Sequence, residues 1–268
     1  MRNLNHFIIY CGTILFAGNA TAGTIVEFEV QDGGQTQVQS AHIQNGFVSI
    51  KNPGGAKNID ALFQREHDRA FIIEHDKKSY LIINEAKVEE FTAQARGMMA
   101  LVQAQMEGMT DEQRAEMEKS MENMGMGGLM NSNEAAPIPE YKQTSEQRDV
   151  NGYLCQVVQV FKNQKLDSEM CVASRASLSM TDADYDTLKA MHNFAQRMAS
   201  KAAMFMNSFG GTLPELATGE IEGLPVAVND IDDKVTVTLR SINTADIDPS
   251  RLGVPKGYTE SALPTIGQ

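Results

Sequence analysis

The stretch from Val150 to Ala173 constrains this chain more than any other. It reads Val150-Asn151-Gly152-Tyr153-Leu154-Cys155-Gln156-Val157-Val158-Gln159-Val160-Phe161, then Lys162-Asn163-Gln164-Lys165, then a second apolar run carrying Cys171. Two β-branched and aromatic runs around a short polar break predict a β-hairpin. The cysteines are symmetric about Asn163. A three-residue loop of Lys162, Asn163 and Gln164 would set them directly opposite each other. A non-hydrogen-bonded antiparallel pair brings Cα atoms to about 4.5 Å, within disulfide reach. The expectation is one cross-strand disulfide, Cys155–Cys171.

A disulfide needs an oxidising compartment, and the N-terminus supplies a route to one. Met1 to His6 is a short basic n-region, Phe7 to Ala17 an apolar h-region, and Ala20-Thr21-Ala22 an A-x-A cleavage site. The apolar run is far shorter than the roughly 20 residues that span a bilayer. Residues 1–22 therefore read as a cleaved signal peptide, with no stable transmembrane anchor after cleavage and a periplasmic location. Their removal takes Arg2 and no acid, leaving 22 basic against 35 acidic residues, a net charge of −13. Such an excess disfavours nucleic acid and anionic membrane surfaces as partners. There is no tryptophan, so no stacked nucleotide or sugar site is signalled.

From Gly23 to Ile83 about six short strands are predicted: a run through Ile25, Phe28 and Val30, then Thr36–Ile43, Phe47–Ile50, Ala61–Arg65, Ala70–Glu74 and Ser79–Ile83. Asp32-Gly33-Gly34, Asn45-Gly46, Asn52-Pro53-Gly54-Gly55 and two polar turns punctuate them. This spacing favours an antiparallel meander over βαβ units. At Asn84 the period changes. Val88, Phe91, Ala95, Met98, Val102, Met106 and Met109 recur at steps of three and four, one face of a helix. Thr110-Asp111-Glu112-Gln113 is a capping box for a second helix carrying Met117, Met121 and Met124. Residues 131–139 form a polar, flexible loop. A strand near Tyr141–Arg148 precedes the hairpin. Thr181-Asp182-Ala183-Asp184 opens a third helix striped with Leu188, Met191, Ala195, Met198, Ala202, Phe205 and Phe209. Strands over Leu224–Asn229 and Lys234–Ile242 follow, the latter alternating Val235, Val237 and Leu239 with polar residues.

Candidate chemistry is sparse. There is no nucleophile elbow, His-Glu-x-x-His zinc motif or phosphate loop, no catalytic residue stands out, and no cofactor is expected. Nine methionines fall between Met98 and Met130. Thioethers suit Cu(I) or Ag(I), so Met117, Met121, Met124, Met126 and Met130 form an alternative soft-metal set. Methionine also packs irregular apolar surfaces, and the stripe positions favour that role. His67 and His75 stand in repeated Glu-His-Asp triplets at opposite ends of one strand, and read as solvated turn residues. The acidic second helix (Asp111, Glu112, Glu116, Glu118, Glu122) is a possible docking face for an envelope protein.

Three segments carry a family resemblance: Phe63 to Tyr80, Val150-Asn151-Gly152 with Cys155, and Val254-Pro255-Lys256-Gly257-Tyr258. In this order, over roughly Ile25 to Tyr258, the chain resembles the exported bacterial proteins grouped as domain-of-unknown-function family 4412. That family is similar to LolA/LolB-like carriers. The resemblance implies an α+β fold in which a curved antiparallel sheet, a LolA-like half-barrel, wraps three methionine-rich amphipathic helices. It implies an aromatic near position 171, where this chain has cysteine, and no catalytic residues. The expected organisation is one half-barrel domain over 23–268 with a helical insert at 84–130. The expected function is non-enzymatic binding of an apolar ligand (a lipid, an acyl chain or a hydrophobic segment of an envelope protein). Phe91, Met98, Val102, Met106, Leu188, Met191, Met198 and Phe205 would line its site.

Overall fold

The computed structural model describes residues 22–114, 116, 119, 139–206 and 222–262, less the side chains of some residues within the helices. The expected signal peptide falls almost wholly outside these residues. So do the five methionines of the alternative metal set and nearly all of the 131–139 loop.

Six strands follow one another as a meander: β1 (Gly23–Asp32), β2 (Gln35–Gln44), β3 (Phe47–Lys51), β4 (Ile59–Gln64), β5 (Arg69–Glu74) and β6 (Ser79–Ile83). Helix α1 (Glu85–Glu107) comes next. A second meander then runs through β7 (Glu140–Val150), β8 (Tyr153–Lys162), β9 (Lys165–Ala173), β10 (Leu224–Asp230) and β11 (Val235–Ala245), with helix α2 (Asp182–Met206) between β9 and β10. A two-residue strand, β12 (Thr259–Glu260), is the last strand of the described chain. All twelve form one curved, unclosed sheet in the order β12-β6-β5-β4-β3-β2-β1-β11-β10-β9-β8-β7. Every pairing is antiparallel except β12 with β6.

The turns follow the sequence. Asn45 and Gly46 both hold positive φ, 52° and 81°, the left-handed geometry that a two-residue hairpin between right-twisted strands requires. The β8–β9 hairpin does the same with Asn163 and Gln164. Its loop therefore has two residues, not the expected three, since Lys162 pairs with Lys165. That register places Cys155 opposite Ala173 and Cys171 opposite Val157. The disulfide is formed, with Cα atoms 5.3 Å apart, but it joins diagonal neighbours rather than directly opposed residues. A bulge at Val160/Phe161 adds to the offset.

The two meanders meet where β1 pairs with β11. Here a bulge lets Glu27 and Phe28, consecutive on β1, face Ser241 and Leu239. Arg240 is the extra residue. The simple alternation expected for β11 breaks there, and Leu239 and Ile242, three apart, both reach the same buried face.

That inner face carries the main core: Val26, Ile43, Val48 and Phe63 from one meander and Val157, Val226 and Leu239 from the other, with the disulfide among them. Helix α2 covers it through Tyr185, Leu188, Phe194 and Met198. Burying such side chains contributes roughly 1.5–3 kcal/mol each. A buried polar contact sets the position of α2: Thr24 Oγ1 donates to Asp184 Oδ2 at 2.6 Å. Thr181 Oγ1 caps the helix by accepting from Asp184 N at 3.2 Å. Helix α1 starts at Asn84, whose side chain accepts from Lys87 N. The expected capping box also forms: Thr110 N donates to Gln113 Oε1 and Gln113 N to Thr110 Oγ1.

Both sheet edges are protected against strand addition. β7 is almost wholly polar and is interrupted by an irregularity between Gln143 and Gln147. β6, the apolar run Ser-Tyr-Leu-Ile-Ile, is covered in part by β12. Replacing Thr24 by Val keeps the shape but removes the donor to the buried Asp184 carboxylate. Urea denaturation should show a loss of about 1–3 kcal/mol. A change within about 0.5 kcal/mol would mean that apolar packing alone sets the position of α2.

Candidate functional site

The residues expected to line an apolar site fall into three groups. Leu188 and Met198 are only 8% exposed and belong to the continuous inner core, with Met191 half-buried at its margin. The Phe63 and Phe194 rings lie 5.4 Å apart in the same cluster. Met106 is 6% exposed but lies outside that cluster. It is 18 residues along α1 from Val88, a residue of α1 that packs on the core, a span of about 27 Å. Phe91 is half-buried on α1. The side chains of Met98, Val102 and Phe205 lie outside the described residues. The structure thus brings Leu188, Met191 and Met198 together on the inner face, and Met106 is buried on α1 without belonging to that cluster.

Ion pairs ring the contact between α2 and its surroundings. Arg197 Nη2 donates to both carboxylate oxygens of Asp68 at 2.7 Å, and Arg65 reaches Asp186 at 3.8 Å. Lys201 bridges Glu85 and Glu89 on α1 at 2.7 and 2.6 Å. All of these side chains are a third or more exposed. Exposed pairs of this kind contribute little each, so the rim of α2 is held less firmly than its centre. The Lys201 bonds hold the Glu85 carboxyl below its ordinary range and raise the Lys201 ammonium above its own. Near the start of α2, Arg175 stacks on the Tyr185 ring at 5.0 Å and pairs with Asp182. Burial, with Glu222 nearby, pushes the Tyr185 phenol up.

A separate cleft of about 150 Å³ lies by the β7 irregularity, lined by Gln143, Gln147, Gln156, Ser174, Ser177 and Glu222 over Val158 and Val172. That is room for roughly five waters, well under the 300–1,000 Å³ of usual small-molecule sites. No group of three or more His, Cys, Asp or Glu side chains able to hold a metal occurs among the described residues. Nor, among them, is any helix long and apolar enough to cross a membrane.

The Glu-His-Asp triplets divide. His67 is exposed in its turn, as expected. His75 is not a solvated turn residue: its Nε2 lies 3.0 Å from Asp60 Oδ2 and its Nδ1 2.9 Å from Tyr258 Oη. The partner from Val254–Tyr258 is distant in sequence, so no local pattern signalled it. The repeated triplet was the visible half of the contact.

No protein-family model matches the chain, and no curated protein matches it. Among solved structures, PNGF-II in space group C2 is similar at a TM-score of 0.40 and 9% identity, covering 90% of this chain and 31% of that one. This chain thus spans about a third of the length of that protein. An uncharacterized conserved protein from Thermus thermophilus is similar at 0.40 and 6% identity, covering 90% of each chain. Likenesses at this level carry no weight for fold or function.

Leu188 separates a filled core from a lined cavity. Leu188→Ala should lose about 2–5 kcal/mol in urea denaturation, the range for truncating a packed side chain. A loss below about 1 kcal/mol would mean that the side chain borders open space.

Proposed function

We propose that this chain is an exported, non-enzymatic carrier of an apolar ligand, built as a LolA-like half-barrel and related to family 4412. One observation carries the reading. A large curved, unclosed sheet presents an apolar inner face to the methionine-bearing helix α2, whose rim is tied down by exposed ion pairs. Thioethers adapt to varied apolar shapes. A helix held at its rim by weak contacts can lift without breaking the sheet beneath. Lipid would then replace Leu188, Met191 and Met198 against the sheet as α2 lifts beyond its first turn, its C-terminal end beside α1 moving furthest. The buried Thr24–Asp184 bond would remain as the hinge. The Cys155–Cys171 bridge supports a periplasmic location, because such bonds persist in oxidising compartments.

The chain has no tryptophan, so Met191→Trp gives a single reporter at the margin of this interface. Brominated fatty acid should quench it saturably in a variant with native circular dichroism. Quenching no greater than that of free tryptophan at the same lipid concentration would overturn the carrier reading.

A further inference from the structure

Two sequence motifs that the carrier reading leaves unused meet on the outer face of the sheet. The C-terminal segment from Ile247 to Ser261 crosses that face as a strap. Ile247 is buried against Gly23, where an added Cβ would fall 2.6 Å from Ile43 O. Val254 and Tyr258 pack on the outer cluster of Leu62, Phe71 and Ile73. β12 and Ser261 N, which donates to Tyr80 O at 2.8 Å, fasten the end to β6.

Two histidines hold the strap, and they hold it differently. Arg251, in the 3-10 turn Pro249–Leu252, donates from Nη1 to His42 Nε2 at 3.0 Å. Arginine can only donate, so His42 is neutral with its proton on Nδ1. At the other anchor the Asp60 carboxylate accepts from His75 Nε2, and Tyr258 donates to Nδ1. A phenol can donate to or accept from a ring nitrogen, so this contact does not depend on which role Nδ1 takes. If His42 gains a proton, two donors and two positive charges face each other across 3.0 Å.

We propose that the C-terminal strap is a pH-gated cover, clamped in its middle by neutral His42 through Arg251 and loosened there on acidification, between two fixed ends at Ile247 and at the Tyr258–His75–Asp60 contact. The charged groups around His42 are Arg251 from the strap, Lys51 from β3 and Glu27 from β1. Burial, then Arg251 and Lys51, hold the imidazole below its ordinary value of 6.5, against a smaller opposing pull from Glu27. The sign follows. The released strap leaves His42 the more basic, so closure is fully favoured above about 6.5 and is lost as pH falls through the lower value of the closed form. Asp248 orders the turn by accepting from Ser250 N at 2.9 Å, and that bond holds its carboxyl below the usual range, so the turn itself persists in mild acid. Release of Arg251 also frees Val254, three residues on, and thins the cover over Leu62, Phe71 and Ile73.

Hydrogen exchange read by mass spectrometry on the full chain tests this at about pH 7.5 and about pH 5, corrected for intrinsic rates. Peptides spanning 246–256 should exchange roughly tenfold faster in acid, while β8 stays protected. His42→Gln keeps an acceptor for Arg251 without a titrating ring and should abolish the acceleration. Arg251→Met should leave the strap equally open at both pH values and serves if His42→Gln does not fold. Equal protection at both pH values in the native chain, or undiminished acid opening in either variant, would overturn the proposal.

Discussion

The pairing of β1 with β11 is the contact on which the rest of the molecule depends. Gly23 lies opposite Ala245 and Gln31 opposite Thr236, so the ladder joins segments near the two ends of the chain. Without it there are two separate meanders, each with an exposed edge and half of an apolar face. With it the edges become the interior of a twelve-stranded sheet, and residues of both halves form one core. Such non-local pairing carries a loop-closure penalty before it gains contacts. Here its gain is large because it completes the floor on which α2 rests. The bulge at Arg240 is part of the same solution: it bends the sheet and turns Ile242 inward beside Leu239.

The two faces of this sheet are covered by different means. The inner face is closed by a helix whose centre is packed and whose position is set by a buried hydroxyl–carboxylate contact. The outer face of β3 to β6 is closed by an extended strap, through a few apolar side chains and two histidine contacts. An extended segment buries less area per residue than an amphipathic helix and has fewer internal hydrogen bonds to hold its shape. The strap is therefore the cover more responsive to a single titrating group, and α2 the one that yields to an apolar competitor for its whole face. The disulfide contributes to the inner side: it sits in the core beneath α2 and fixes β8 to β9, so the floor remains rigid whichever cover moves.

Much of the fold was legible in local patterning. Ser79–Ile83 is the strand its apolar run predicts, Asn45-Gly46 is the hairpin turn its residues demand, and Asn84 and Thr110 are the helix caps their side chains allow. These features are set within a few residues, where backbone geometry and side-chain hydrogen bonding decide. The disulfide was legible too, because two cysteines equally distant from the turn of one hairpin face each other across the strands to within a residue or two. Its register was not, because a two-residue turn and a bulge each shift the pairing by amounts that composition does not encode. Of the expected site, Leu188, Met191 and Met198 share one face through their helical period, whereas Met106, on a different helix, is buried without joining their cluster.

The sequence by itself determined which segments are strands and helices, which faces of them are apolar, and that the two cysteines pair. It also marked the repeated Glu-His-Asp triplets and the Val254–Tyr258 motif. Only the tertiary structure decided that β1 closes on β11, that α2 lies on the inner face, and that one histidine of the triplets turns from solvent to meet Tyr258. The reason is the range of the forces concerned. Hydrogen-bonded turns, caps and apolar periodicity act over a few residues and leave their mark in the local sequence. The partners of Thr24, His42 and His75, namely Asp184, Arg251 and Tyr258, lie far away in the chain, and only the folded sheet brings them within hydrogen-bonding distance.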